Sequence, residues 1–376
     1  MEYVLACNAG SSSLKLTLFA GTPGQGWAPL ETTNLSAGSH VSGSRSYTDM
    51  LFGWLAPLPT PDQILHRVVH SGLVKEQARL LDNRTVDLIR HWLPIAPRHN
   101  ALTLEMIGSM QQRLPHLPQF AIYDSGLYAG LPAHSARYAV SDELSPGWPL
   151  RRYGFHGLAH RNQWRQVQAM QKQAGRPLGR CISLHLGSGV SVTAWRDGNV
   201  IDTSMGFSPL EGLIMARRSG SLDPGILLHL LLREGFEPAT LDMVLQERSG
   251  LAALAGHDGD MRSIMQDMRA GNDSAAAAVD QYCYQIRKTI GAYMGALGGV
   301  DAISFGGGVA EHQAPLRQQI VDGLQGFGIV ADSGANSARA GAGAFHAMDS
   351  ACALYLTPVN EMDEMLRQYE AFALNK

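Results

Sequence analysis

One short pattern occurs twice in this chain, and that repeat limits the folds open to it more than any other feature. EYVLAC at 2–7 reads as a buried strand, NAGSSS at 8–13 as a turn of small residues, and LKLTLF at 14–19 as a returning strand. CISLHLGSG at 181–189 and VSVTAWRDG at 190–198 repeat the order of apolar strand, Gly-Ser turn and strand. Apolar, β-branched runs bounded by turn formers are the mark of such hairpins. A repeat displaced by about half the chain points to a duplicated domain, and 376 residues leave room for two cores.

The segments between the repeats alternate strand and helix. ILHRVVHSG at 64–72 is a strand running into a Gly turn, and QFAIYDSG at 119–126 is a buried strand ending in an acid. Between them TVDLIRHWLPIAP at 85–97 predicts a helix stopped by Pro94 and Pro97, and 100–113 a second helix with Asn100 as its N-cap. Residues 21–60, rich in Gly, Pro, Ser and Thr, predict irregular segments and one short helix. In the second half, helices are expected over 225–235, 240–250 (ended by Gly250), 272–297 and 315–328. A strand at 301–308 ends in three glycines, and a last strand at 353–358 precedes a last helix at 362–374. Such alternation belongs to a layered α/β fold.

Composition removes several classes of function. A net charge of −3, from 30 basic and 33 acidic side chains, gives no electrostatic footprint for nucleic acid. Cys7, Cys181, Cys283 and Cys352 form no CxxC pair, so they read as reduced, buried thiols rather than zinc ligands or a disulfide framework. MEYVLACNAG lacks the basic start of a signal peptide, and no apolar run reaches the ~20 residues of a membrane helix. The expected setting is cytoplasmic, with no membrane partner.

Three small-residue turns follow buried strands: NAGSSS, HLGSG at 185–189 and GGGVAEH at 306–312. Backbone N–H groups without Cβ atoms in the way can cradle phosphate oxygens, although each turn alone also suits an ordinary hairpin. None is a GxxxxGK[ST] loop, since Leu follows Lys15, and no GxGxxG unit supports a dehydrogenase. Arg67 sits inside the apolar strand HRVVH, and Arg217 and Arg218 precede SGSLDP. A strand arginine is either half of a buried ion pair or a clamp on a carboxylate or phosphate. His156, in RRYGFHGLAH, stands in a turn with little room for a packed ring, so it can serve as a donor or base. Asp124 ends a strand, and Glu361 follows the last strand, where a carboxylate can hold Mg²⁺.

These residues carry a resemblance. NAGSSSLKL, HRVVHSG, APRHN, RRYGFHG, HLGSG, DTSMGFSPLEGL at 202–213, RRSGSLDP, DMR at 260–262, IRKTIGAY, GGGVAEH and the PVNE end stand in the order found in the acetate kinase family. The chain resembles that family over nearly its whole length, as a divergent and shortened member. The resemblance implies an α/β protein of two actin-like (ribonuclease H-like) domains with a cleft between them. The first would span 1–126, completed by the C-terminal helix 363–376, and the second 127–362, with the nucleotide site. It implies reversible transfer of a phosphoryl group from ATP to a short carboxylate, acetate first, with Mg²⁺ or Mn²⁺, in a homodimer; the small residues of helix 272–297 could pack across the two-fold axis. Arg67 and Arg218 would bind the acid and the moving phosphoryl group, Asp124 would orient or activate the carboxylate, and His156, helped by His99, would stabilise the transition state. Asn8 and Glu361 would lie near the metal and Lys15 near the phosphates. The ATP site would comprise His185, Leu186, Gly187, Ser188, Gly189, Asp260, Met261, Arg262, Gly308, Val309, Ala310, Glu311 and His312. Phosphoryl transfer asks for alignment and charge compensation more than for covalent chemistry, and a carboxylate is already ionised near pH 7.

The chain also departs from the family pattern. His70-Ser71-Gly72-Leu73 stands for His-Gly-Gly-Glu, and Asp124-Ser125-Gly126-Leu127-Tyr128 for Asp-Thr-Ala-Phe-His. Ser188 stands for Asn, Ala310-Glu311-His312 for Gly-Glu-Asn, and Ser221 for Asp. Arg98 stands where a Leu lines the acyl pocket. It could read a second negative group on the substrate, pair with a protein carboxylate, or turn outward. Alternatives to an acetate-type kinase are therefore a same-fold kinase for another small acid, or a weakly active nucleotide-binding relative.

Overall fold

The computed structural model describes residues 1–10, 13–36, 46–145 and 147–374, without the side chains of Arg98 and His99. It divides into two compact units. One comprises Met1–Gly130, Phe155–Leu158 and Asn360–Lys376, the other Leu131–Gly154 and Ala159–Val359.

The first unit is built on a six-stranded sheet: β1 (Glu2–Ala9), β2 (Ser13–Thr22), β3 (Gly26–Ser36), β4 (Gln63–Val68), β5 (Ala78–Leu80) and β6 (Gln119–Tyr123), in the order β3-β2-β1-β4-β6-β5. β1, β4 and β6 run parallel, while β2, β3 and β5 are antiparallel to their neighbours. Side chains alternate between faces along a strand. Val4, Ala6, Leu65, Phe120 and Ile122 accordingly pack on Met362, Met365, Leu366 and Tyr369 of the last helix, Glu361–Leu374. Leu5, Cys7, Leu16, Leu18 and Ile64 pack on Leu51 and Leu55 and on Met106 and Met110. Those four come from the helices Tyr47–Leu55 and Pro97–Arg113.

Four local readings need correction here. The stretch 21–60 holds the expected short helix but also β3, an eleven-residue strand. β3 lies at the sheet edge with most residues exposed, so it shows no apolar alternation, and its Pro29 falls where the β2–β3 register shifts. An edge bulge is a site where a sheet tolerates proline. Pro97 does not stop a helix; it occupies the first turn of Pro97–Arg113, whose cap residue is Ala96. Asn100 is thereby drawn inside the helix and buried rather than capping it. Gly250, with φ +63°, opens the helix Gly250–Ala255 rather than closing Pro238–Glu247.

The second unit repeats the plan. Its strands are β7 (Arg180–Leu186), β8 (Val190–Arg196), β9 (Asn199–Thr203), β10 (Ala302–Gly306), β11 (Gly343–Ala344) and β12 (Ala353–Leu356), ordered β9-β8-β7-β10-β12-β11. Position by position the order matches the first sheet, and so do the strand directions. The helix Gly157–Gln173 supports this sheet through buried polar bonds. His160 bridges the hydroxyls of Ser183 (2.7 Å) and Ser191 (2.8 Å), and Gln163 Oε1 accepts from Ser304 (2.7 Å) and Thr357 (3.2 Å). Burial and then the neighbouring His185 hold His160 well below the usual imidazole pKa, so it is neutral in this network. The four cysteines are buried free thiols. Among the described residues no helix is long and apolar enough to cross a membrane.

Candidate active site

In the first unit, the ends of three parallel strands bring polar side chains together. β1 delivers Asn8, β4 delivers Arg67, and Asp124 follows β6. Arg67 Nη2 donates to Asp124 Oδ2 at 2.8 Å and Nη1 to Asn8 Oδ1 at 3.0 Å, and Glu361 Oε2 lies 3.6 Å from Nη1. Asn8 Nδ2 donates to Glu361 Oε2 at 2.7 Å, so residues from opposite ends of the sequence meet. Burial alone would lower the Arg67 pKa, but the Asp124 and Glu361 charges and the Asp124 hydrogen bond outweigh it and raise it. The guanidinium is thus a fixed, buried cation. Its Nε–H is buried and has no hydrogen-bond partner among the described residues.

Asp124 is fully buried and engaged on both oxygens. Besides Arg67 it accepts the backbone N–H of His156 on Oδ2 and of Leu158 on Oδ1, each at 3.0 Å. It therefore anchors the 155–158 turn as well as the arginine. His156 is one of two described non-glycine residues at positive φ, +59°. That conformation is strained for a side chain with a Cβ and is found where the surroundings over-determine it. A Cβ on Gly157 would sit 2.0 Å from the Asp124 carbonyl oxygen, so only glycine lets the turn close on Asp124. His156 itself is half-buried.

Beside this cluster the departures from the family pattern form contacts of their own. Ser71 and Ser125 are both fully buried; the Ser71 N–H donates to Ser125 Oγ and the two hydroxyls hydrogen-bond, each at 3.1 Å. Asn100 holds the His70 backbone from both sides, accepting from its N–H at 3.3 Å and donating to its carbonyl at 3.0 Å. The His70 ring stacks on Trp92 at 4.7 Å, and burial lowers its pKa to about 3. The side chains of Arg98 and His99 lie outside the described atoms. Lys15 is exposed on β2, directly across from Asn8 in the β1–β2 register.

In the second unit a pocket of about 310 Å³ is lined by Gly187, Ser188, Asp260, Met261, Arg262, Gly308, Val309, His312 and Gln313. Three segments far apart in sequence, HLGSG, DMR and Gly308–His312, converge there. Gly307 explains how: at φ +87° a Cβ would fall 2.6 Å from the Leu186 carbonyl oxygen, so the ends of β7 and β10 approach only through glycine. Asp260 caps Met261–Arg269 and holds Arg262 in a bidentate pair, with a shortest contact of 2.6 Å. The Arg262 hydrogen bonds lower the Asp260 pKa. His185, Leu186, Gly189, Ala310 and Glu311 do not line the pocket; Leu186 and Ala310 are buried, and Glu311 Oε1 accepts from the N–H groups of Gly307 and Val359. Arg218 belongs to this second unit, where its Nη1 donates to the Pro209 carbonyl at 2.7 Å. Ser221, in place of the family's Asp, exchanges two bonds with Gly212: its Oγ accepts from the Gly212 N–H, and its N–H donates to the Gly212 carbonyl.

Gln313 and Arg317 escaped the sequence reading, and Asn100 was read there only as a helix cap. Arg317 is fully buried beneath the pocket wall, donating to the Ala310 and Glu311 carbonyls and to Asn336, and burial lowers its pKa to about 10. Its signal was an arginine on the apolar stripe of PLRQQIV, one residue from Leu316 and three from Ile320.

The model of the Acetokinase family matches residues 59–367. An acetate kinase of Streptomyces coelicolor is 38% identical over 310 residues, covering 81% of this chain and 74% of its own. An acetate kinase of Sulfurovum sp. strain NBC37-1 is 34% identical over 389 residues, covering 98% of both chains. Among solved structures, a propionate kinase from Francisella tularensis superposes with a TM-score of 0.85 at 30% identity, covering 98% of this chain and 99% of that one. The mixed α/β sheets are those of the actin-like fold that these kinases share.

Proposed function

The chain belongs to the Acetokinase family, and from that premise we propose that it transfers the terminal phosphoryl group of ATP to a short carboxylate, acetate first, giving an acyl phosphate and ADP. The observation that carries the assignment of residues is Arg67: a buried cation fixed by Asp124, Asn8 and Glu361, with an Nε–H that no described residue uses. A desolvated N–H of this kind costs free energy unless an acceptor reaches it, and a substrate carboxylate or phosphoryl oxygen is the acceptor that fits. In the transfer, a carboxylate oxygen forms its bond to the γ-phosphorus as the bond from that phosphorus to the β,γ-bridging oxygen breaks. The leaving electron pair stays on ADP, and no proton has to move. Asp124 serves as an orienting group, because both its oxygens are already engaged. The His156 ring, at its strained turn, donates to charge developing on the phosphoryl oxygens, and Arg218 supplies the second cation.

Mg²⁺ fits the residues at hand. Glu361, with 19% of its side chain exposed, and Asn8 offer the hard oxygen donors this ion prefers. Among the described residues no group of three or more His, Cys, Asp or Glu could cage a metal, which agrees with an ion bound mainly through nucleotide phosphates and water. When bound, it neutralises charge on the phosphates. The pocket of the second unit is the proposed ATP site, with Gly187 and Gly308 allowing close backbone approach and Arg262 flanking it. In-line transfer requires acid and nucleotide to meet in a cleft between the two actin-like domains, and that cleft is part of the proposal.

The assembly we infer is a homodimer. The helix Pro224–Leu232 buries none of its residues and exposes Ile226, Leu228 and Leu232, with Leu222 and Phe236 exposed beside it. An apolar surface of this kind marks an association site. Light scattering at micromolar concentration is expected to give twice 40.6 kDa; the monomer mass would contradict the dimer. The activity is tested by incubating short acids with Mg-ATP and trapping acyl phosphate as hydroxamate. Acetate or propionate is expected to lead, and failure of every acid would overturn the reading. Arg98→Leu sharpens the acyl assignment: if the acetate-to-dicarboxylate ratio of kcat/KM moves less than about threefold, Arg98 does not read the substrate.

A further inference from the structure

We propose that Glu211, through Tyr138 and Arg152, is the positioning residue that presents Arg218 to the substrate. The inference rests on the reading of Arg218 as a substrate-binding cation. Between β9 and the helix Pro224–Leu232 the chain forms neither helix nor strand, and Arg218 lies in this stretch. A functional side chain on an irregular loop is placed accurately only when the loop is tied down by its surroundings.

The ties converge on one carboxylate. Glu211 accepts from the Tyr138 hydroxyl on Oε2 and from Arg152 Nη2 on Oε1, the latter at 3.1 Å. Tyr138 Oη in turn accepts the Phe207 N–H at 2.9 Å, and Arg152 Nη1 donates to the Ser204 carbonyl at 3.3 Å. The loop is therefore held at three points by two side chains from the segment 138–152. Gly206 makes the meeting sterically possible, since a Cβ there would fall 1.5 Å from Glu211 Oε2 and 2.2 Å from Tyr138 Oη. Arg218 leans on the backbone so fixed: its Nη1 donates to the carbonyl of Pro209, two residues before Glu211.

The chemistry separates support from neutralisation. Arg152, not Arg218, forms the ion pair with Glu211, at a half-buried site where the side chains are 19% and 31% exposed. Glu211 thus fixes the carbonyl on which Arg218 rests, while its own ion pair is made with Arg152. Burial, followed by Glu211, pushes the Tyr138 phenol upward, so it stays a protonated donor throughout the neutral range.

The test compares Arg218→Ala, Glu211→Gln, Tyr138→Phe and the double variant Glu211→Gln/Arg218→Ala in acyl phosphate formation. Arg218→Ala is expected to lower kcat by about 10²-fold, Glu211→Gln by about 10-fold and Tyr138→Phe by about threefold, with KM for Mg-ATP unchanged within about twofold. If Glu211 acts through Arg218, the double variant turns over no slower than Arg218→Ala, within about twofold. Tyr138→Phe carries the test should Glu211→Gln fail to fold. Wild-type turnover by Arg218→Ala would sink the reading of Arg218 and the inference with it. A slow Arg218→Ala beside fully active Glu211→Gln and Tyr138→Phe would leave that reading standing and overturn the inference. So would a double variant slowed by the product of the single effects.

Discussion

The two sheets share one strand order and one set of strand directions, yet the ends of their parallel strands carry opposite chemistries. In the first unit the ends of β1, β4 and β6 hold Asn8, Arg67 and Asp124, a compact set of charged and amide groups. At the matching places in the second unit, Gly187 follows β7, Gly306 to Gly308 close β10, and Thr357 and Pro358 follow β12. The supporting faces differ too. The last helix packs on the first sheet through Met, Leu and Tyr, whereas Gly157–Gln173 meets the second through His160, Gln163 and a row of hydroxyls. One topology thus supplies fixed side-chain charge in one copy and bare backbone in the other. The first suits a small anion that must be gripped, the second a nucleotide that must lie close to the main chain.

If that division of labour holds, changes in the two units should separate in kinetics. Short of removing Arg67, the largest effect is expected at His156. Asparagine tolerates its positive φ, so His156→Asn keeps the turn and removes the imidazole. A loss of kcat on the order of 10²–10³ is expected, with little change in ATP affinity; near-wild-type kcat would remove His156 from the chemistry. Next is Gly307→Ala in the second unit, whose Cβ would press on the Leu186 carbonyl. We expect KM for ATP to rise about tenfold, with KM for the acid hardly moved, because the strain opens only the nucleotide wall. Equal rises for both substrates would break the comparison. Glu361→Gln keeps the shape that meets Asn8 but loses the charge, and should raise the Mg²⁺ needed for half-maximal rate about three- to tenfold. An unchanged Mg²⁺ titration would move the metal elsewhere.

The smallest expected effect concerns stability. Burial lowers the His66 pKa from 6.5 to about 4, against a weaker upward pull from its Gln119 hydrogen bond. The native ring therefore stays neutral at pH values where the unfolded chain takes up a proton. Its contribution is fully present above the unfolded pKa and is lost as pH falls from there toward the folded one, at no more than about 1.4 kcal/mol per pH unit. Thermal unfolding midpoints of His66→Gln should fall less steeply than wild type between about pH 7 and pH 5; parallel slopes would show that His66 is not the group taking up the proton.

Much of this was legible in local sequence. The hairpins β1–β2 and β7–β8 announced themselves by apolar runs around small-residue turns, and their likeness pointed to a duplicated domain. Asp124 stood out as an acid ending a strand, and His156 as a histidine between an aromatic and a glycine, in a turn with little room for a packed ring. What stayed hidden depends on distant partners. β3 owes its existence to pairing with β2, since its own exposed and proline-containing sequence gives no period. Asn100 resembles an N-cap until Pro97 takes the first turn and the amide turns to His70. Glu211 meets Tyr138 across 73 residues of sequence, and no local pattern reports such a meeting.

The central claim is that Arg67 of the first unit grips the acid while the pocket of the second unit holds the nucleotide, and Mg-ATP binding to Arg67→Ala tests it most directly. Calorimetric titration should give a Kd within about threefold of wild type, in a variant whose acyl phosphate formation has fallen by about 10³-fold or more. The account would be contradicted if ATP affinity collapsed together with turnover, because Arg67 would then belong to the nucleotide site.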